Sequence, residues 1–335
     1  MSSDNYAGRL SEYKNKGICG LPEKNETKRS LEHKLKRLIQ LVKESNHTTV
    51  ITGAGISTNA GIPDFRGPKG IWTLENKQKQ AMRKSKKRKL TETSSSSCTS
   101  NATTANNIAA EMTPSASFET AKPTLTHRAI TFLSSDPINQ VQYTITQNVD
   151  GLHMRSGISR AKHCFLHGCI FTEKCEDCKK EFFRDYDIQG ISFQYTGRVC
   201  ESCNGKLRDT ILDWEDDLPE DDWQRAQAEC EQSDLILALG TSLRIQPVGD
   251  LPTWAKKGFV IVNKQETPYD GQAEMRIAAD VDLVMDRLLK GLGYTDWDEP
   301  MKEKECAKNE AKAESCVDEK KENDERENDA IKVQS

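Results

Sequence analysis

At 335 residues, with 48 lysines and arginines against 52 acids and a formal charge of −4, the chain is long enough for one large or two modest domains and carries no bulk charge to steer it to a polyanion or an anionic membrane. Its longest apolar runs, such as LILAL at 235–239, fall far short of the roughly 18 residues of a membrane span. Eleven cysteines, an odd number, with neither a basic nor an apolar leader in MSSDNYAG, predict thiols or metal thiolates in a reducing compartment, not a disulfide framework.

Leu31, Leu35, Leu38, Ile39 and Val42 fall on one helical face, with Lys and Glu opposite, which predicts an amphipathic helix. TTVIT at 48–52 is a short β-branched run closing on Gly53, so helix, buried strand and glycine turn follow one another as in layered α/β proteins. From Lys77 to Ala116 the chain passes through RKSKKRK at 83–89 and then an uncharged stretch, Ser94 to Ala110, almost without large apolar side chains. Such a segment buries too little surface to offset its ordering entropy, and a disordered insertion is expected. A helical stretch opening at Pro123 and running to Phe132 precedes a second strand, VQYTIT at 141–146. Two more apolar strands, DLILAL at 234–239 and FVIV at 259–262, each end in a polar or glycine-containing loop. Strands of this sort separated by helix-length segments predict a mostly parallel sheet with its ligand crevice at the strand carboxyl ends. From Asp298 to Ser335, 13 acidic and 8 basic residues without an aromatic predict a solvated, disordered tail.

GAGISTNAGIPDFRGPKGIW, Gly53 to Trp72, follows the first strand. Gly53 and Gly55 permit a tight turn and close approach to a pyrophosphate, whose charge would meet backbone N–H groups. A GxG turn is equally ordinary structure. Thr58 stands where the dinucleotide fingerprint has its third glycine, and no acid follows about 20 residues on, so a conventional dehydrogenase is disfavoured. TQNVDGLH, Thr146 to His153, sets Gln147, Asn148 and Asp150 where they would hydrogen-bond a ribose or a carboxamide; Asn-x-Asp-Gly is also sound turn chemistry. Cys175-x-x-Cys178 and Cys200-x-x-Cys203, separated by 21 residues, offer the four thiolates of a structural zinc site, with a redox pair as the alternative. His167, flanked by Cys164 and Cys169, is then not needed as a ligand and suits a general base; a Cys nucleophile beside it is the alternative. GTSLRIQP at 240–247 and VNKQ at 262–265 close the last two strands with hydroxyl and amide groups suited to phosphate and ribose, or to ordinary loops.

In this order these motifs resemble those of the sirtuins, the NAD-dependent protein-lysine deacylases, over Leu31 to Gly293 apart from the insertion. NYAGRLSEYKNKGICGLPE at 5–23 and LRDTILDWEDDLP at 207–219 resemble the family's nuclear, chromatin-associated sirtuin-six branch. Asp213-Trp214-Glu215 stands where most sirtuins carry Phe-Gly-Glu. The resemblance implies an α/β fold: a Rossmann-like parallel sheet with helices on both faces, plus a small inserted zinc-ribbon module. NAD and acyl-lysine would enter one cleft from opposite sides. NAD contacts are implied at Gly53, Ala54, Gly55, Thr58, Asp64, Phe65, Arg66, Trp72, Gln147, Gly240, Thr241, Ser242, Asn263, Gln265 and Val281. Catalytic roles fall to His167, Asn148 and Asp150, and one structural zinc to Cys175, Cys178, Cys200 and Cys203. The implied chemistry is attack of the acyl oxygen on C1′ of the nicotinamide ribose, with His167 then taking a ribose hydroxyl proton. Deacylated lysine, nicotinamide and O-acyl-ADP-ribose result, with mono-ADP-ribosyl transfer as a side activity.

By this reading residues 1–30 pack on a catalytic domain of 31–76, 117–166 and 206–297. The insertion occupies 77–116, the zinc module 167–205 and the tail 298–335. Histone tails are the expected substrate, nucleosomes or chromatin the expected partner and the nucleus the expected location, with residues 83–89 read by an import receptor; no membrane contact is expected. A non-catalytic zinc-ribbon chromatin adaptor and a nicotinamide oxidoreductase compete with this reading, and an imidazole in the cleft argues against the adaptor. The net charge divides into +6 over 77–116, −5 over 298–335 and −5 over the remainder. A basic segment on an acidic enzyme can thus meet DNA while the body meets a lysine-rich tail.

Overall fold

The computed structural model describes residues 3–12, 16–91 and 117–298. The chain divides into two compact units, 1–292 and 293–335, and every regular element among the described residues lies in the first. The tail beyond 298 and the segment 92–116 fall outside the described residues.

A short helix, α1 (Ser3–Arg9), opens the chain. Thr27 then caps α2 (Lys28–Glu44), its hydroxyl accepting the Ser30 N–H at 3.3 Å, and Leu35, Leu38 and Val42 bury the expected apolar stripe. The buried strand β1 (Thr48–Thr52) follows. The next helix, α3 (Ile71–Thr91), corrects the expected insertion boundary, because it runs on through 77–91, RKSKKRK included. Lys, Arg, Gln, Met and Leu are good helix formers, so a helix begun at Ile71 meets no backbone penalty there. Helix α4 (Leu125–Ser134) begins after Thr124, whose N–H and hydroxyl both meet His127 Nδ1, at 3.2 and 2.8 Å; Pro123 precedes the cap.

Six parallel strands form the main sheet: β1, β2 (Tyr143–Thr146), β3 (His163–Phe165), β8 (Leu235–Leu239), β9 (Phe259–Val262) and β10 (Met275–Ile277). Their order is β10-β9-β8-β1-β2-β3. Four were expected; β3 and β10, at three residues each, are too short to show a period. Thr52 pairs with both Thr146 and Leu239, so the three central strands end level with one another. Ile51, Ile145, Ile236, Ala238 and Ile261 pack against Ala226 and Cys230 of α6 (Glu220–Gln232) and against Val248 and Leu251. The alternate residues Val50, Leu237 and Val260 are equally buried, as a sheet covered on both faces requires. Helices α2 and α4 pack on α7 (Val281–Leu292).

The inserted module is a second, antiparallel sheet. It comprises β4 (Thr172–Cys175), β5 (Glu181–Phe183), β6 (Tyr195–Val199) and β7 (Lys206–Asp209), in the order β5-β4-β7-β6. Because β7 pairs with both β4 and β6, the module extends to Asp209, past the boundary expected at 205. Arg160 ties it to the main body by contacting Glu181 and Asp222, each at 2.9 Å, and Arg9 of α1 pairs with its Asp187. No helix among the described residues is long and apolar enough to cross a membrane.

Candidate active site

The carboxyl ends of β1, β2, β3, β8 and β9 open on one cavity of about 550 Å³. Gly53, Ala54 and Gly55 reach its wall after β1, Gln147, Asn148 and Asp150 after β2, and His167 after β3. Gly240, Thr241 and Ser242 follow β8, Asn263 and Gln265 follow β9, and Asp64, Phe65, Arg66 and Trp72 come from between β1 and the start of α3. Gly55 is required where two of these loops meet: its N–H donates to Gly240 O at 2.8 Å, and a Cβ would lie 2.7 Å from the same oxygen. The glycine turn is thereby seated on the Gly240 loop, a fixed cradle at a strand end.

Thr58 and Val281 are not on this wall. Two 3-10 turns, Ala54–Ile56 and Thr58–Ala60, flank Ser57. Such turns rotate successive side chains by about 120°, so with Ser57 facing inward Thr58 is exposed, its hydroxyl donating to Gly55 O at 3.0 Å. Val281 opens α7 and is buried among core residues.

His167 is part-buried on the cavity wall, and burial pushes its imidazole down to about 4, so it is neutral at pH 7. Its Nδ1 lies 3.1 Å from Gln147 O. A carbonyl only accepts, so Nδ1 carries the proton and Nε2 presents a bare lone pair. Beside it sits a closed polar cluster. Ser57 donates to Asp150 at 2.6 Å and accepts from the Asn148 amide at 3.2 Å. That amide also donates to Gly53 O at 3.1 Å, while the other Asp150 oxygen accepts the Leu152 N–H at 3.0 Å. Burial pushes the Asp150 carboxyl up, and these donors offset part of the shift. Ser57 went unremarked in the sequence because nothing but its place inside a glycine turn distinguishes it.

A strap from the N-terminal segment completes the wall. Tyr6 and Leu10 line the cavity, Lys16 O accepts Arg66 Nε at 3.0 Å, Gly20 N–H donates to Arg66 O at 2.9 Å, and Gln265 donates to Leu21 O at 2.6 Å. Arg66 lies over the Trp72 ring at 4.6 Å, and Trp72 packs on Phe65 at 4.7 Å and on Trp214 at 5.3 Å. Tyr6 and Leu10 belong to the 5–23 segment that carries the branch resemblance, but nothing in it marks them as cavity residues, and Phe118 lies outside every motif.

The four knuckle cysteines converge, all Sγ atoms lying within 4.8 Å of one another. Cys175 and Cys203 are 3.5 Å apart and Cys178 and Cys200 3.6 Å. Those separations far exceed a disulfide of about 2.05 Å and approach the edge, about 3.8 Å, of a tetrahedron of thiolates 2.3 Å from a central zinc. The set therefore fits one structural zinc ion, with every coordination position filled by protein. Among the described residues no other His, Cys, Asp or Glu group converges in this way. Cys164 and Cys169 are buried with their thiols pushed up, Cys169 to about 12, which argues against a nucleophile beside His167.

Sheet, cleft and ribbon follow the plan of the Sir2 proteins, and the chain belongs to that family, whose profile matches residues 53–247. It is 38% identical to the NAD-dependent protein deacetylase Sirt6 of Drosophila melanogaster over 90% of each chain. It is 40% identical to the NAD-dependent protein deacetylase SRT1 of Arabidopsis thaliana over 86% of this chain, spanning 55% of that relative's length. A solved Sir2–p53 peptide–NAD+ complex superposes with a TM-score of 0.53 at 28% identity, over 78% of this chain and 99% of its own.

Proposed function

We propose that the chain is an NAD-dependent protein-lysine deacylase. The observation that carries this reading is His167, a neutral imidazole with Nδ1 committed to Gln147 O and Nε2 bare, in one cleft with the Ser57, Asn148 and Asp150 cluster. When bound, NAD supplies the ADP-ribosyl group, its C1′–nicotinamide bond breaking as the acyl oxygen of the substrate bonds to C1′. Gly53, Ala54, Gly55, Gly240, Thr241, Ser242, Asn263 and Gln265 hold the dinucleotide in this reading. Asp64 would hold the carboxamide, and Phe65, Arg66 and Trp72 would contact the dinucleotide. Gln147, Asn148 and Asp150 order the nicotinamide ribose and its pocket. His167 takes a ribose hydroxyl proton at Nε2, freeing that oxygen to attack the acyl carbon. Enclosing both reactants in one cleft removes much of the entropic part of the barrier.

The names of the Sirt6 and SRT1 relatives support deacetylation. The apolar wall of Tyr6, Leu10, Ile62, Phe118 and Leu212 supports longer acyl chains as well. Histone tails are the proposed substrate, chromatin the setting, and mono-ADP-ribosyl transfer a side activity that begins with the same bond cleavage. Incubating the protein with acetylated and myristoylated histone peptides is expected to yield O-acyl-ADP-ribose, seen by mass spectrometry, only when NAD is present. Failure of both peptides to give product would leave a non-catalytic adaptor. Residues 83–89 are proposed to be read by an import receptor, so their deletion is expected to shift the protein out of the nucleus. Unchanged imaging would remove that role.

A further inference from the structure

Beneath the cleft lies a chain of hydrogen bonds that begins on a histidine with no place in the chemistry above. Thr52 and Thr146, the last residues of β1 and β2, face each other across the sheet, fully buried. The Thr52 hydroxyl donates to Thr146 Oγ1 at 2.8 Å, and the same oxygen accepts the Asn148 N–H at 3.1 Å. On its other side Thr52 Oγ1 lies 2.9 Å from Nε2 of His153, which is 1% exposed on α5 (Leu152–Arg155). His153 Nδ1 has no hydrogen-bond partner, and the ring otherwise touches His127 at 4.7 Å and His163 at 5.1 Å between centroids. The only polar tie of this buried imidazole therefore runs through Thr52 toward Asn148.

The proton order of the chain follows from its donors. Thr146 Oγ1 receives two, the Thr52 hydroxyl and the Asn148 amide. With its single proton directed to Thr146, Thr52 must accept from the imidazole, so His153 carries its proton on Nε2 and leaves Nδ1 bare. Burial holds the ring neutral, pushing it down to about 3, so that single proton stays committed to Thr52. This tautomer is the reverse of that at His167, where Nδ1–H is fixed by Gln147 O.

Resting on the deacylase reading above, we infer that His153 is a positioning residue: through Thr52 and Thr146 it sets the backbone at Asn148, and thereby the amide that meets Gly53 and Ser57 in the cleft. Without the imidazole N–H, the Thr52 hydroxyl is free to turn away from Thr146. Asn148 then loses its fixed anchor while the loops after β8 and β9 keep theirs. The loss falls on kcat more than on NAD affinity, because a small displacement of a group at the reacting ribose is felt mainly in the transition state.

The test is a double-mutant cycle in the full chain. His153→Phe removes the N–H, Thr52→Val replaces the hydroxyl by a methyl group, and Thr52→Ser keeps the hydroxyl. Each of the first two is expected to lower kcat for an acetylated peptide by about tenfold, with KM for NAD changed by less than about twofold. Together they should cost no more than the larger single loss, because either one already breaks the chain, while Thr52→Ser restores turnover. Additive losses, or wild-type kcat in Thr52→Val, would overturn the proposal. Nitrogen NMR of the ligand-free protein gives a readout independent of turnover. It is expected to show the Nε2–H tautomer at His153 and faster exchange of the Asn148 amide in Thr52→Val, and an Nδ1–H tautomer or unchanged exchange would refute the positioning role. A wild-type protein without turnover would count against the deacylase reading alone. Should His153→Phe fail to fold, Thr52→Val and Thr52→Ser carry the comparison.

Discussion

Replacing His167 by alanine is expected to lower deacylation by about 10²- to 10⁴-fold, the range spanned by a positioned general base. The side chain projects into the cavity, so its truncation removes chemistry and little packing. The base acts after the C1′–nicotinamide bond has broken, so NAD-dependent release of nicotinamide should fall far less than formation of O-acyl-ADP-ribose. Both products can be followed in one chromatogram, and equal losses in the two would place His167 in the first step. The ring's own titration gives a second check. In the ligand-free protein an NMR inflection near 4 is expected, below the ordinary 6.5, because burial disfavours the imidazolium. The group is then neutral, and competent as a base, throughout pH 6 to 8. An inflection at 6.5 would mean that the imidazole is solvated and that its fixed tautomer has to be reconsidered.

What could be read from the sequence follows the range of the forces that form each part. TTVIT, DLILAL and FVIV announce buried strands because a parallel sheet covered on both faces needs unbroken apolar runs, and the paired CxxC spacing announces a four-thiolate centre because the donors cluster locally. HCF and MRI leave no such trace. Only pairing with β2 and β9 makes them strands. The cleft follows the same division. Gly55, Gln147, Asn148, Asp150 and His167 sit at strand ends within recognisable motifs, whereas Tyr6, Leu10 and Phe118 reach the wall by tertiary packing that no local pattern records. Thr58 and Ser57 make the point at one residue's resolution: both sit in the same motif, and the rotation of the backbone between two 3-10 turns decides which of them faces the cavity. Helix α3 fails the sequence argument in the other direction. A composition poor in apolar residues argues against joining a core, but intrinsic propensity can still carry a helix through it.

Removing the zinc is the change expected to reach furthest from its own site. The buried apolar cluster of the module consists of Cys175, Cys200 and Leu207 with Phe182 packed against it. One fully buried leucine contributes about 1.5–3 kcal/mol, against about 1–2 kcal/mol of backbone entropy for each residue ordered, so the ribbon cannot hold itself together on packing. Structural zinc in small fingers supplies about 10–16 kcal/mol, far more than any single packing contact in this cluster, so the ribbon depends on the metal. The consequence for the cleft runs through the module's two connections. Gly168, with φ 82°, lies so close to Thr210 O that a Cβ would fall 1.9 Å from it, and the Leu212 N–H donates to His167 O at 3.3 Å. The segment leading into β4 and the segment leaving β7 thus meet at His167, so the module's two connections hold the residue in place. Chelation, or Cys175→Ser, is expected to abolish amide-exchange protection over 172–209 and to lower deacylation with it, while β1 and β8 stay protected because their core is independent of the ribbon. Metal analysis should return one zinc per chain. Full activity and unchanged protection in the metal-free protein would show that the ribbon is held by something other than its four thiolates.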